Sequence, residues 1–413
     1  TLILVGQSDK LSALGIDTTK LPRETAIVKT IGNTLILAGE DGGSADPYSE
    51  HYGSSRVRTG TMYAVYDFLQ DQLGVRWLWP GRTGEVIPKR STVEVGSLDI
   101  QETPKLFQRH YRLGINDRFR DETAAYFPRF MADRNDLYSA IQEDSTLWLK
   151  RLKQGYATRF SYGHAFTQWY ERYYKTTPEI FALQKDGHRG LYIPTEAPAY
   201  VKMCPSSDKL IDMLIEQFLE QRKRDPEHRF LNACENDGNN GFCQCEDCKS
   251  LDVALTEANR AQLKDLAWSG ADLDAVYGPR GDGLPYSLSN RYFAFYNKLA
   301  RRLREVAPDG MVVVYAYDRY KFAPINMTVE PNILVGLIGF NSYPVRPEER
   351  QLQIDNFMAW KKSGVTQVFF RPNSFGFSWH HGVPWNNIEQ IAGDFQMLLD
   401  GGIVATDFDI YPG

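Results

Sequence analysis

Apolar residues in this chain fall into short runs that stop at glycine and into longer segments with three- and four-residue spacing. Leu2-Ile3-Leu4-Val5 ends at Gly6 and Thr34-Leu35-Ile36-Leu37-Ala38 ends at Gly39, each with the length and composition of a buried strand. Between Gly60 and Gly74 the apolar positions Met62, Val65, Tyr66, Phe68, Leu69 and Leu73 recur at helical spacing, which predicts an amphipathic helix over one face of a sheet and a stop at Gly74. Gly74-Val75-Arg76-Trp77-Leu78-Trp79-Pro80-Gly81 then predicts a short aromatic strand cut by Pro-Gly, and 91–95 alternates as a closing strand. Residues 1–98 are therefore expected to form a small α/β unit.

After Thr103-Pro104 the pattern changes to repeated strand-then-helix units. Strands are predicted at 106–113, 156–164, 200–203, 229–234, 311–317, 332–338, 366–371 and 402–407. Helices are predicted near 207–222, where Leu210, Ile211, Leu214, Ile215, Phe218 and Leu219 form one face, and near 288–306, 348–362 and 387–399. Eight strands alternating with helices over 104–413 suit a (β/α)8 TIM-like barrel, with its active site at the C-terminal strand ends. An open doubly wound sheet is the other arrangement considered, but the chain lacks the glycine-rich phosphate turn that many such folds carry. The chain ends soon after the eighth expected strand, so the helix that would complete a barrel is expected either to be missing or to lie beyond it.

Length and charge narrow the functional classes. A chain of 413 residues, 42% hydrophobic, can bury a full core and has the length of two or three domains. The net charge of −5 is spread over interspersed acids and bases with no basic stripe, which argues against nucleic acid or an anionic membrane as partner. No run reaches the roughly 18 apolar residues of a membrane span. The chain opens at Thr1 without a signal-like segment, as expected of a processed protein. Aromatic residues make up 13% of the chain; beyond packing a core, such rings can stack on sugar faces.

The stretch 229–248, Arg-Phe-Leu-Asn-Ala-Cys-Glu-Asn-Asp-Gly-Asn-Asn-Gly-Phe-Cys-Gln-Cys-Glu-Asp-Cys, concentrates the chemistry. An apolar run leads into Glu235 and Asp237, two residues apart, so both side chains would face the same side if the backbone stays extended. A carboxylate at the end of a buried strand is costly without a reason, and many glycosidases work with two carboxyl groups. Asp318, Asp407 and Asp409 are further strand-end acids that could supply the second group. Binding candidates at strand ends are Arg109, His110, Arg112, His164, Asn236, Tyr315, Tyr317, Arg371 and Asn373, with Trp379, His380, His381 and Trp385 in the following loop. An arginine there could grip a carboxylate or sulfate bidentately or be held in an internal ion pair. A metal at His380-His381 is disfavoured because adjacent side chains diverge.

Four of the five cysteines form a group: Cys204, Cys243, Cys245 and Cys248. Their spacing fits a tetrahedral structural zinc site, and two disulfides or free thiols are the alternatives. In each bonded case the role is to brace the loop beside the acids, and no cofactor is required for catalysis. Cys234 reads as a small buried hydrophobe.

The segment 60–81 resembles the N-terminal accessory domain of α-glucuronidases and β-hexosaminidases. Tyr173-Tyr174, Pro178-Glu179-Ile180-Phe181-Ala182-Leu183, Cys204-Pro205-Ser206-Ser207 and Asn236-Asp237-Gly238 through Phe242-Cys243-Gln244-Cys245-Glu246-Asp247-Cys248 are similar to a bacterial family known as domain of unknown function 4838. The resemblance implies carbohydrate chemistry, an oligosaccharide or polysaccharide substrate and a secreted or periplasmic setting, and supplies no catalytic residues. With the acid pair it leads to an exo-acting glycoside hydrolase, with an acidic (uronic acid) sugar as first expectation. A polysaccharide lyase and a non-catalytic sugar-binding protein are the alternatives, and the oligomeric state is open.

Overall fold

The computed structural model describes residues 2–42, 58–113, 134–158, 160–253, 281–285, 287–338, 347–372 and 388–410. By internal contacts the chain divides into two units, Thr1–Arg159 with Ala405–Gly413, and Phe160–Val404.

The first unit contains a four-stranded sheet of β1 (Leu2–Val5), β2 (Ala26–Ile31), β3 (Thr34–Gly39) and β4 (Asp99–Glu102), in the order β1-β3-β2-β4. The apolar runs at 2–5 and 34–38 are strands as their composition predicts, and β1 runs parallel to β3. Helix α1 (Gly60–Asp67) lays Tyr63, Ala64 and Tyr66 on Val28, Leu35 and Leu37. Its first residue must be glycine, because a Cβ on Gly60 would come 2.4 Å from the Thr25 carbonyl oxygen. The expected closing strand at 91–95 does not form; β4 takes that place, pairing antiparallel with β2 through Ala26↔Glu102 to Lys29↔Asp99.

The second sheet has seven strands: β5 (Gln108–Leu113), β6 (Gly155–Tyr156), β7 (Phe230–Asn232), β8 (Met311–Ala316), β9 (Ile333–Leu337), β10 (Gln367–Phe370) and β11 (Ile403–Ile410). Their order is β6-β5-β11-β10-β9-β8-β7, with β6 antiparallel to β5 and the ladder from β7 to β10 parallel. The expected (β/α)8 barrel is thus corrected to a mixed seven-stranded sheet, and no closed eight-stranded ladder is present among the described residues.

The reason lies in where backbone groups bond. Of the second expected strand only Tyr156 is in the ladder, with Gly155 before it. Farther on, the Gly163 carbonyl accepts from the Asn232 side chain and the Ala165 N–H bonds the Cys234 carbonyl. The third expected strand spends its groups on the 180–182 segment, with the Ala182 N–H on the Lys202 carbonyl and the Cys204 N–H on the Ile180 carbonyl. Backbone groups satisfied in this way cannot also extend a parallel ladder.

In the second unit β8 and β9 are buried along their whole length, which explains their unbroken apolar sequences. Helix α2 (Asp208–Arg224) buries Leu210, Ile211, Leu214 and Phe218, and the Ser207 hydroxyl caps its start by accepting from the Leu210 N–H. Helix α3 (Ser289–Val306) buries Tyr292, Phe293, Tyr296, Leu299, Ala300 and Leu303. Each such Leu or Phe contributes about 1.5–3 kcal/mol. Together they fix the C-terminal ends of β7 and β8, where the functional candidates lie.

Candidate functional site

Strand β7 stops at Asn232, whose side-chain oxygen accepts from the Cys234 N–H at 3.1 Å. Glu235 follows and is 1% exposed. Its Oε1 accepts from the Asn236 N–H at 2.8 Å, and its Oε2 from the Met203 N–H at 3.2 Å and the Tyr292 hydroxyl at 2.9 Å. Burial pushes the Glu235 carboxyl above its ordinary range, against the pull of Lys202. Asn236 is buried as well: its side-chain oxygen accepts from the Phe166 N–H at 3.1 Å and its amide donates to the Val201 carbonyl at 2.8 Å. Lys202 donates to the Asn236 and Asp237 carbonyls, and burial lowers its pKa while Glu235, Asp237 and Asp318 oppose the change. Glu235, Asn236 and Lys202 form a saturated platform.

Asp237 differs in kind. The strand geometry that would have put it beside Glu235 has already ended, and its side chain is 46% exposed. Its Oδ1 accepts from the Gly238 N–H at 2.8 Å and the Tyr317 hydroxyl at 3.2 Å. His164 Nε2 lies 4.0 Å from the other oxygen. His164 Nδ1 is 2.7 Å from the Glu235 carbonyl, which can only accept, so the proton is on Nδ1 and Nε2 is left toward Asp237. Tyr315 packs against His164 and Tyr317, with ring centroids 5.8 and 6.1 Å away. Burial and the Asp237 charge push the Tyr317 hydroxyl up to about 12.

Two further strand-end groups act here. Asp318, half-buried at the end of β8, adds its charge to Tyr317 and Lys202, and its backbone adopts φ +46°. That left-handed conformation is uncommon outside glycine, asparagine and aspartate. Arg371, following β10, lies 5.9 Å over the Tyr162 ring and counters the rise at Tyr317. Asp237, His164, Tyr315, Tyr317, Asp318 and Arg371 are therefore brought together.

The remaining predicted residues are placed otherwise. In the first unit Arg109 bonds the Lys153 carbonyl at 2.7 Å, the Leu106 carbonyl at 2.6 Å, Glu24 at 2.8 Å and the Tyr63 hydroxyl at 3.3 Å. His110 Nδ1 is 3.2 Å from buried Asp407, its partner across the β5–β11 ladder. Arg112 and Asp409 lie in those strands, with side chains outside the described residues. Asn373, Trp379, His380, His381 and Trp385 lie outside the described residues altogether.

Cys204, Cys243, Cys245 and Cys248 converge as their spacing predicts and could hold a metal ion: their sulfur atoms all lie within 4.8 Å of one another. Cys204 Sγ is 3.6, 3.8 and 3.7 Å from those of Cys243, Cys245 and Cys248, and Cys243–Cys245 is 3.4 Å. All five cysteines are unbridged. Four sulfurs about 2.3 Å from one zinc would be about 3.8 Å apart, so the cage fits. The Leu183 N–H donates to Cys243 Sγ at 3.2 Å, and Arg189 interacts with the Cys204 side chain, adding positive charge beside the sulfurs. Cys234 is buried, and burial pushes its thiol up.

Sequence reasoning missed Lys202 and Tyr292. Lys202 did leave a signal, a lone cation in the apolar run Val201-Lys202-Met203. Tyr292 left none: it looks like any aromatic on a core-facing helix, and its partner is 57 residues away. A family model described as Domain of unknown function (DUF4838) matches residues 79–399. No curated protein matches the chain.

Proposed function

We propose that this chain, which belongs to the DUF4838 family, is a carbohydrate-active enzyme, an exo-acting glycoside hydrolase on polysaccharide fragments. The observation that carries this is Asp237: a carboxylate with exposed capacity, beside His164 and Tyr317 and beyond the C-terminal end of a parallel strand. In open α/β sheets that edge is where ligands bind. Asp237 would act as one carboxyl of the pair and Asp318 as the second, while Glu235, spent on three internal donors, holds the turn in place. Tyr317 supplies ring surface, backed by the buried Tyr315 ring, and Arg371 supplies a cation for a uronic acid carboxylate. We include in the proposal a secreted or periplasmic setting, checked by fractionating cells, and zinc in the four-cysteine cage, checked by metal analysis showing about one zinc per chain.

The test is turnover of a panel of aryl glycosides and uronic-acid oligosaccharides by the wild type, Asp237→Asn and Asp318→Asn. Loss of hydrolysis in both variants is expected; unimpaired turnover in Asp237→Asn overturns the assignment. A lyase would need His164 or Tyr317 as base, and the raised pKa of Tyr317 makes that hydroxyl slow to deprotonate. An unsaturated product absorbing in the ultraviolet would turn the reading to lyase.

A further inference from the structure

The turn that carries Asp237 also borders a second feature. Gly238 and Gly241 adopt φ +93° and +73°, folding Asp237 to Phe242 into a tight loop. An exposed tyrosine lies on each glycine: a Cβ on Gly238 would be 3.7 Å from the Tyr200 ring, and one on Gly241 would be 3.0 Å from the Tyr192 Cβ. Tyr192 and Tyr200 are 45% and 46% exposed although each packs on backbone at one edge. Beside Tyr192 a cleft of about 380 Å³ opens, lined also by Lys185, Asp186, Asn240, Phe242 and Gln244. That size is at the small end of ligand pockets.

The chemistry of the walls selects the ligand. One exposed aromatic ring, three side-chain amides (Gln184, Asn240 and Gln244), two carboxylates (Asp186 and Asp282) and an ammonium group can stack one apolar face and make hydrogen bonds of both polarities around it. That pattern suits a neutral sugar ring, whose hydroxyls donate and accept, better than a lipid tail or a phosphate. Asn240 is three residues from Asp237, so the Cα atoms of the two residues are at most about 11 Å apart. That is within the reach of an oligosaccharide already held at Asp237. The wall is braced: Gln244 lies between Cys243 and Cys245 of the sulfur cage, and the Gln184 amide donates to the Gly241 carbonyl at 3.2 Å.

We infer that the Tyr192 cleft is a second sugar-binding subsite, which takes a neutral residue of the oligosaccharide whose reacting end is at Asp237, with Tyr200 along the path. The inference rests on the hydrolase reading above. The test uses calorimetry and kinetics on neutral di-, tri- and tetrasaccharides, with and without a terminal uronic acid, against an aryl monoglycoside. Tyr192→Ala should weaken binding of the tri- and tetrasaccharides about tenfold and raise their KM, leaving kcat and the aryl monoglycoside unchanged; Tyr192→Phe should keep most of the affinity. Equal behaviour of wild type and Tyr192→Ala on the long substrates overturns the subsite while leaving hydrolysis at Asp237 standing. Tyr192-dependent oligosaccharide binding without turnover supports the subsite and removes the hydrolase. Absence of oligosaccharide binding in every variant removes the subsite.

Discussion

Two charged clusters, one in each unit, are alike in composition and opposite in use. Around Arg109 the guanidinium meets Glu24, the Tyr63 hydroxyl and two backbone carbonyls, and the Glu24 side chain is 1% exposed. Around Asp237 a carboxylate meets a tyrosine hydroxyl and an imidazole, yet nearly half of it faces solvent. Both clusters contain an ionic group, a tyrosine and a partner of opposite tendency. The distinguishing property is hydrogen-bonding capacity left over: the first cluster has spent its donors on holding the unit together, and the second can still engage a ligand. Burial or charge taken separately would have ranked the Arg109 cluster first.

The sharpest way to break this comparison is to delete one member of each cluster. Arg109→Ala leaves Glu24 buried without its cation and should cost about 3–5 kcal/mol of stability, seen in denaturant melts, with activity per folded molecule retained. Asp237→Asn should do the reverse, lowering turnover by about 10²–10⁴-fold with an unchanged melting curve. If Arg109→Ala lost activity without losing stability, the two roles would be exchanged. Next in size is the cage: with zinc held there as proposed, Cys248→Ala should abolish the zinc content that elemental analysis finds in the wild type. It should also lower activity through the loop rather than through the reacting groups, since four sulfurs leave no open coordination position.

A smaller effect separates Glu235 from Asp237 by pH. Because burial raises the Glu235 pKa in the folded state, the folded chain holds that proton more tightly than the unfolded one. The stability this contributes is fully present below the unfolded carboxyl value and is lost as pH rises through the folded value. Glu235→Gln should flatten that decline in urea melts run from acid to neutral pH; an unaltered slope would mean that Glu235 titrates as an ordinary surface acid. Smallest is Tyr317→Phe, which removes one hydrogen bond to a half-exposed carboxylate and should change kcat/KM by an amount worth about 0.5–1.5 kcal/mol.

What could be read from the sequence followed the range of the interactions. β8 and β9 were legible because a strand buried on both faces needs an unbroken apolar run. The convergence of the four cysteines was legible because three of them lie within one loop, while zinc, disulfides and free thiols were all compatible with that spacing. The barrel was not legible. The segments 156–164 and 200–203 look like strands, but they do not disclose that the Asn232 and Asn236 side chains and the Ile180–Ala182 backbone take up hydrogen bonds that a ladder would need. Arg109 stayed open between a ligand and an internal ion pair for a related reason: a strand arginine reads the same whether its partner is a substrate or Glu24, 85 residues away. The two acids were singled out together, and only the end of β7 at Asn232 gives them different environments.

The pairing of β5 with β11 has a consequence for how the first unit is made. Gln108 lies opposite Ala405, a separation of 297 residues (405 − 108), and the register runs on to Leu113↔Ile410. At about 5–20 residues per second of synthesis, β5 waits on the order of 15–60 seconds for its parallel partner. During that interval its edge is open on the β11 side, and the chain emerging meanwhile includes the all-apolar strands β8 and β9. A nascent chain with an unpaired edge and such strands in reach is the circumstance in which chaperones act, so expression yield should respond to growth temperature and chaperone supply before any change in the finished protein's stability.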